Sequence, residues 1–189
     1  MKEPPTFKKP PAGKEPPPNT APPFKKPPAC AKDAADVPIK APPGDIAAVK
    51  LIESKAHGAD VILLIAASLP RKDILRLSTS AKNLGLEVLL EVHNEEELER
   101  GLMPTIDLLG VNNRNLKTFE VSIQISLELA SKIPDNFVKV SESGISSVAA
   151  IQELKKVGYS GFLIGENFMK TSDPMISAYN FIKKVENEI

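Results

Sequence analysis

The chain has 189 residues, 42% of them hydrophobic, enough for one well-filled core and a single domain. Its 24 basic and 24 acidic residues cancel, which argues against non-specific binding to nucleic acid or to an anionic membrane surface. Cys30 is the only cysteine, so there is no intrachain disulfide and a reducing, cytoplasmic setting is expected.

Residues 1–43 hold 14 of the 18 prolines and only Val37 and Ile39 among the large aliphatic types. Phe7-Lys8-Lys9-Pro10-Pro11-Ala12 recurs as Phe24-Lys25-Lys26-Pro27-Pro28-Ala29. Proline removes backbone donors and fixes φ, so this stretch is neither central strand nor helix interior. It reads as polyproline-like or disordered, and the repeat is a minor candidate for a polyproline ligand of a partner domain. It lacks the apolar core of a secretory signal.

The character changes at Asp45, which can cap a helix running to His57 with Ile46, Val49, Leu51, Ile52 and Ala56 at helical spacing and Gly58 as the stop. Val61–Ala67 is a continuous apolar strand, the longest apolar run and far too short to cross a bilayer. Arg71–Leu84 is a helix closed by Gly85, Leu86–Val92 a strand, and Glu95–Leu102 a helix whose acidic first turn suits the helix dipole. Ile106–Val111 is a strand and Ser122–Ile133 a helix. Phe137–Val140 is a strand, Val148–Val157 a helix ending at Gly158, Gly161–Ile164 the last strand and Pro174–Val185 the closing helix. Five apolar strands, each preceded by a helix, are the pattern of a covered parallel sheet. Either a doubly wound sheet or a (β/α)8 barrel satisfies it; the lack of a G-x-G-x-x-G motif weighs against a dinucleotide fold.

In such folds ligands bind at the C-terminal strand ends. Those ends are polar here: Glu91 and His93; Asn112, Asn113 and Arg114; Ser141, Glu142, Ser143 and Gly144; Gly165 and Glu166. Glu91 closes an apolar strand, where a buried carboxylate can take or give a proton; a salt bridge to a lysine or arginine is the equal alternative. His93 reads more readily as a helix-start residue than as a catalyst, and His57 as surface. Ser143-Gly144 and Gly165-Glu166-Asn167 each precede helical structure, and in barrels the loops after the seventh and eighth strands often hold phosphate. Plain capping by Ser143 and Ser146, with a tight turn at Gly165, is the simpler reading of the same residues. No Cys/His cluster has metal spacing, so no metal is expected.

Five segments resemble indole-3-glycerol phosphate synthase: Glu53–Ala67, Gly85–Leu98, Leu109–Val121 (L-G-V-N-N-R-N-L-K-T-F-E-V), Val138–Ser146 (V-K-V-S-E-S-G-I-S) and Gly161–Met169 (G-F-L-I-G-E-N-F-M). The resemblance implies a (β/α)8 TIM barrel of the ribulose-phosphate-binding type with an irregular N-terminal third. Residues 1–44 would be a Pro/Lys-rich irregular segment or poorly defined first barrel strands, and 45–189 the βα repeats of a single domain. It implies ring closure of 1-(2-carboxyphenylamino)-1-deoxyribulose 5-phosphate to indole glycerol phosphate, a carboxy-lyase reaction of tryptophan biosynthesis, with no cofactor or metal. By the same resemblance Glu91 matches the general base, Asn112 the amide holding substrate hydroxyls, and Glu142 the carboxylate of the E-S-G motif. Arg114, Ser143, Gly144, Gly165 and Glu166 fall around the phosphate. The expected partner is a phosphorylated small molecule, without nucleic acid or membrane, for a monomer or weak homodimer.

The front of the chain departs from the family. Thr6-Phe7-Lys8-Lys9-Pro10-Pro11 stands where members carry E-F-K-K-x-S-P-S. Val37-Pro38-Ile39-Lys40-Ala41-Pro42-Pro43 puts Pro42 at the place of the acid lysine in L-R-K-D-F. Lys8 and Lys40 are therefore the candidate lysines. Barrels of this type run to about 250 residues, so an inactive partial-barrel phosphate-binding or scaffold protein is the alternative expectation.

Overall fold

Asp45 caps a helix as expected: its Oδ1 accepts the Ala48 amide at 3.1 Å at the start of helix α1 (Ile46–Ala56). The structure, a computed structural model, describes residues 45–115 and 118–188; the expectations for residues 1–44, Lys8 and Lys40 among them, lie outside that range. After α1 come β1 (Val61–Ile65), α2 (Arg71–Asn83), β2 (Glu87–Val92), α3 (Glu95–Gly101), β3 (Leu108–Asn112) and α4 (Gln124–Ala130). Then follow β4 (Val138–Glu142), α5 (Val148–Lys156), β5 (Gly161–Leu163), α6 (Glu166–Met169) and α7 (Pro174–Glu188). Ala66 and Ala67, read from sequence as the end of the first strand, instead begin a 3₁₀ turn, Ala66–Ser68, whose first carbonyl accepts Arg100 Nη2 at 2.6 Å.

All pairings are parallel, and the spatial order β1-β2-β3-β4-β5 follows the chain. That order decides between the two architectures left open above. A doubly wound sheet needs a reversal of strand order; here every right-handed crossover steps the same way, which lays the helices on one face. The described strands are successive βα units of a (β/α)8 barrel.

The strands are two-faced despite their apolar sequence, because successive side chains point to opposite sides. Ile62, Leu64, Val88, Leu90, Val92, Leu109 and Val111 point toward the helices and are buried with Ile74, Leu77, Leu98, Leu129, Ile151 and Leu154. Each such side chain contributes roughly 1.5–3 kcal/mol of transfer free energy. The opposite face carries Val61, Leu63 and Leu163, which are exposed, and at its C-terminal end Glu91, Asn112 and Glu142. In α1 only Ala48 and Leu51 of the apolar stripe are buried; Ile46, Val49 and Ile52 are exposed. Leu51 seats the helix in the core, and an Asp45–Arg76 ion pair links its start to α2.

Candidate active site

Register brings the polar strand ends together. Glu91 of β2 pairs with Gly110 of β3, and Asn112 of β3 pairs with Glu142 of β4. With a period of two, Glu91, Gly110, Asn112 and Glu142 share the face turned away from the helices. Asn112 Nδ2 donates to Glu91 Oε1 at 3.1 Å, and Asn112 Oδ1 accepts the Arg114 amide at 2.9 Å. One amide side chain thus orients a carboxylate and shapes the chain leaving β3. The alternative of a lysine or arginine partner for Glu91 does not occur among the described residues.

Glu91 and Glu142 are both buried, at 7% and 6% exposure, which sets up competition for a proton. Burial first, and then the charge of Glu91, pushes the Glu142 carboxyl up to about 7. Glu142 Oε1 finds no donor, whereas a proton on that carboxyl finds an acceptor in Glu91. A proton on Glu142 is therefore held between two carboxyl groups.

His93 is a helix-start residue, as read from sequence, since it precedes the Asn94 cap of α3. It is more than that. Its ring is largely buried, with Nδ1 3.2 Å from Glu97 Oε2 and Nε2 3.4 Å from Glu91 Oε1. Glu97 also accepts the His93 amide at 2.8 Å and the Asn94 side chain at 3.0 Å. The expected solvated acidic turn holds for Glu95 and Glu96, while Glu97 folds inward because it has these donors to satisfy. The signal was the spacing Asn94-x-x-Glu97, a capping box that reaches one residue further back than usual.

A cavity of about 600 Å³ opens beside Glu142, between the chain segments that follow β4 and β5. Arg114, Ser143, Gly144, Gly165 and Glu166 all line it, so the five residues expected around a phosphate meet in one place. Ser143 and Ser146 are not caps: Ser147 caps α5, accepting the Ala150 amide at 3.2 Å. Ser143 and Gly144 instead take positive φ, +64° and +72°, before the helix begins. Gly165 is the residue before α6, with negative φ and open space where a side chain would stand. Arg114 pairs with Glu166, which also binds Lys170 at 2.5 Å. These cations hold the Glu166 carboxyl below the usual carboxylate range, Lys170 most strongly. Asn167 of the Gly165-Glu166-Asn167 turn also lines the cavity, together with Lys170 and Val121, which were not proposed as site residues from the sequence. Among the described residues no group of three or more His, Cys, Asp or Glu is placed to hold a metal ion. No helix there is long and apolar enough to cross a membrane.

Fold and site together define a (β/α)8 barrel protein with its polar cluster at the C-terminal strand ends. Solved structures agree on the fold. 3-Hexulose-6-phosphate synthase from Salmonella typhimurium superposes with a TM-score of 0.62 at 14% identity, over 77% of this chain and 70% of that one. A mutant tryptophan synthase α-subunit from Pyrococcus furiosus does so with 0.59 at 18% identity, over 75% and 60%. The indole-3-glycerol phosphate synthase family model matches residues 32–181, and the chain belongs to that family. Proteins named indole-3-glycerol phosphate synthase from Bacteroides thetaiotaomicron and Polynucleobacter asymbioticus are 44% and 46% identical over 156 and 144 residues. These alignments cover 82% and 76% of this chain but 60% and 54% of those proteins. A third, from Koribacter versatilis, is 49% identical over 125 residues, 66% of this chain and 48% of that protein. The chain thus spans about half the length of the curated relatives it matches.

Proposed function

We propose that this site closes the indole ring: it converts 1-(2-carboxyphenylamino)-1-deoxyribulose 5-phosphate to indole-3-glycerol phosphate, with loss of carbon dioxide and water, in tryptophan biosynthesis. The observation that carries the proposal is that the buried carboxyl of Glu142, with the buried Glu91 beside it, lines the same cavity as Arg114, Ser143, Gly144 and Gly165. The phosphate would sit between the Ser143-Gly144 and Gly165 segments, where backbone amides and the Arg114 guanidinium favour a dianion.

Carbon–carbon bond formation places negative charge on the ribulose carbonyl oxygen, which needs a proton. Carbon dioxide leaves from the ring carbon, and the new hydroxyl then departs as water while a base takes the proton lost from the ring being formed. Glu142, which holds a proton up to about pH 7, is placed to donate, and Glu91, held by Asn112, to accept. The second amide proton of Asn112 is left for a substrate hydroxyl. Lys8 and Lys40 are the candidates for the family's acid lysine. No cofactor or metal enters this scheme. The setting we infer is cytoplasmic, for a monomer or weak homodimer acting on a phosphorylated small molecule.

The test is fluorescence of the indole product from the purified chain. Turnover that Glu91→Gln abolishes supports the proposal. Absent turnover, with inorganic phosphate still raising Tm, would favour an inactive phosphate-binding scaffold.

A further inference from the structure

The second asparagine of Asn112-Asn113 lies just past the end of β3, at 0% exposure. Every side-chain hydrogen-bonding group of Asn113 that the fold buries has a partner. Nδ2 donates to Ser141 Oγ at 2.9 Å and to the Ser143 carbonyl at 3.1 Å, and Oδ1 accepts the Ser126 amide at 3.1 Å. Its own amide donates to the Glu142 carbonyl at 2.8 Å. The network continues outward: Ser141 Oγ lies 2.8 Å from Ser126 Oγ, and Tyr159 Oη donates to the Ser126 carbonyl at 2.8 Å. Asn113 is thus anchored by α4 and by the residues entering β5, and it presents one remaining proton to the chain just after β4.

The place it grips is strained. Ser143 has φ +64°, a region that side-chain-bearing residues enter at a cost and keep only when their surroundings hold them there. A serine at this position tends to relax to negative φ, which would displace the segment after it that lines the cavity. The Asn113–Ser143 hydrogen bond opposes that relaxation from a fully buried, fully paired side chain.

We infer that Asn113 is a positioning residue: it holds Ser143 in the left-handed conformation and so sets the segment that receives the phosphate. This rests on the phosphate reading of the cavity given above. Asn113 does not line the cavity, and its side chain meets the lining only at the Ser143 carbonyl.

A double-mutant cycle with inorganic phosphate as the probe, followed by titration calorimetry on the full chain, tests the inference. Asn113→Asp keeps the side-chain volume and the acceptor for the Ser126 amide but replaces the donor to Ser143 with an oxygen. Ser143→Gly removes the cost of positive φ. Asn113→Asp is expected to weaken phosphate binding at least tenfold in the parent chain and less than threefold in the Ser143→Gly background. A general loss of packing would lower Tm in both backgrounds and leave no such coupling in Kd. Equal losses in both backgrounds overturn the inference alone. A parent chain that binds no phosphate overturns the phosphate reading and the inference with it. Should Asn113→Asp not fold, the parent protein still decides. The Asn113 side-chain amide protons must exchange slowly with solvent, and the Ser143 amide must keep a coupling constant characteristic of positive φ; fast exchange or negative φ overturns the inference.

Discussion

Gly110 and Glu142 occupy neighbouring strands, and the Glu142 carboxylate lies in the space a side chain at position 110 would fill. A Cβ there would collide with Glu142 Oε1 and stand 3.1 Å from Glu142 Cδ and 3.2 Å from Leu89 Cδ1. Glycine at this strand position leaves room for the Glu142 carboxylate and is not there for its backbone freedom. Gly110→Ala is expected to turn Glu142 out of its seat, to cost about 1–3 kcal/mol of stability as an overpacked site, and to reduce product formation at least tenfold. Urea unfolding and the fluorescence assay read the two effects separately.

Stability should depend on pH through Glu142. Its carboxyl binds a proton more tightly in the folded chain, up to about 7, than at its ordinary value of 4.5. Between those values the folded state therefore carries more protons than the unfolded one. Stability falls as pH rises through that window and levels off above it. The full difference is of order 3 kcal/mol as an upper limit, at about 1.4 kcal/mol per pH unit. Urea unfolding of the parent and of Glu142→Gln at pH 5, 6, 7 and 8 checks this; the variant should lack most of the slope.

Glu166 sets a negative charge at the mouth of a cavity proposed to receive an anion. Its carboxylate is tied to Arg114 and Lys170, so a phosphate must compete for both cations. Glu166→Gln is expected to tighten inorganic phosphate two- to fivefold at low ionic strength, with the gain shrinking as salt screens the charges. Arg114→Gln should weaken phosphate at least tenfold. Calorimetric titration at two salt concentrations distinguishes them.

The hydroxyl of Tyr159 serves the interior. Tyr159 is almost wholly buried, and its hydroxyl donates only to the Ser126 carbonyl. Burial pushes the phenol up to about 12, against a smaller opposite effect of that hydrogen bond. Tyr159→Phe is expected to cost about 1–3 kcal/mol, because it leaves a buried carbonyl without its donor. Chemical denaturation measures it, and phosphate affinity should change less than for Asn113→Asp.

Much of this molecule was legible in the order of its residues. Asp45 announced a cap and supplied one. Apolar runs of strand length alternating with helical stripes announced a parallel sheet, and the polar residues closing those runs announced the end that carries the site. These features are local: a cap, a period and a strand exit depend on neighbours a few residues away. The exposed stripe of α1 was not legible, because which face a helix buries depends on what it meets.

Chain order alone therefore determined the βα alternation and the list of polar strand ends, since both follow from backbone periodicity. Only the tertiary structure decided that the sheet steps in one direction, that Glu142 takes up the proton beside Glu91, and that the second of two adjacent asparagines reaches Ser143. Those outcomes depend on strand register, burial and hydrogen bonds between residues 30 to 51 positions apart in the chain. A single residue's shift in register would turn each of those side chains to the opposite face.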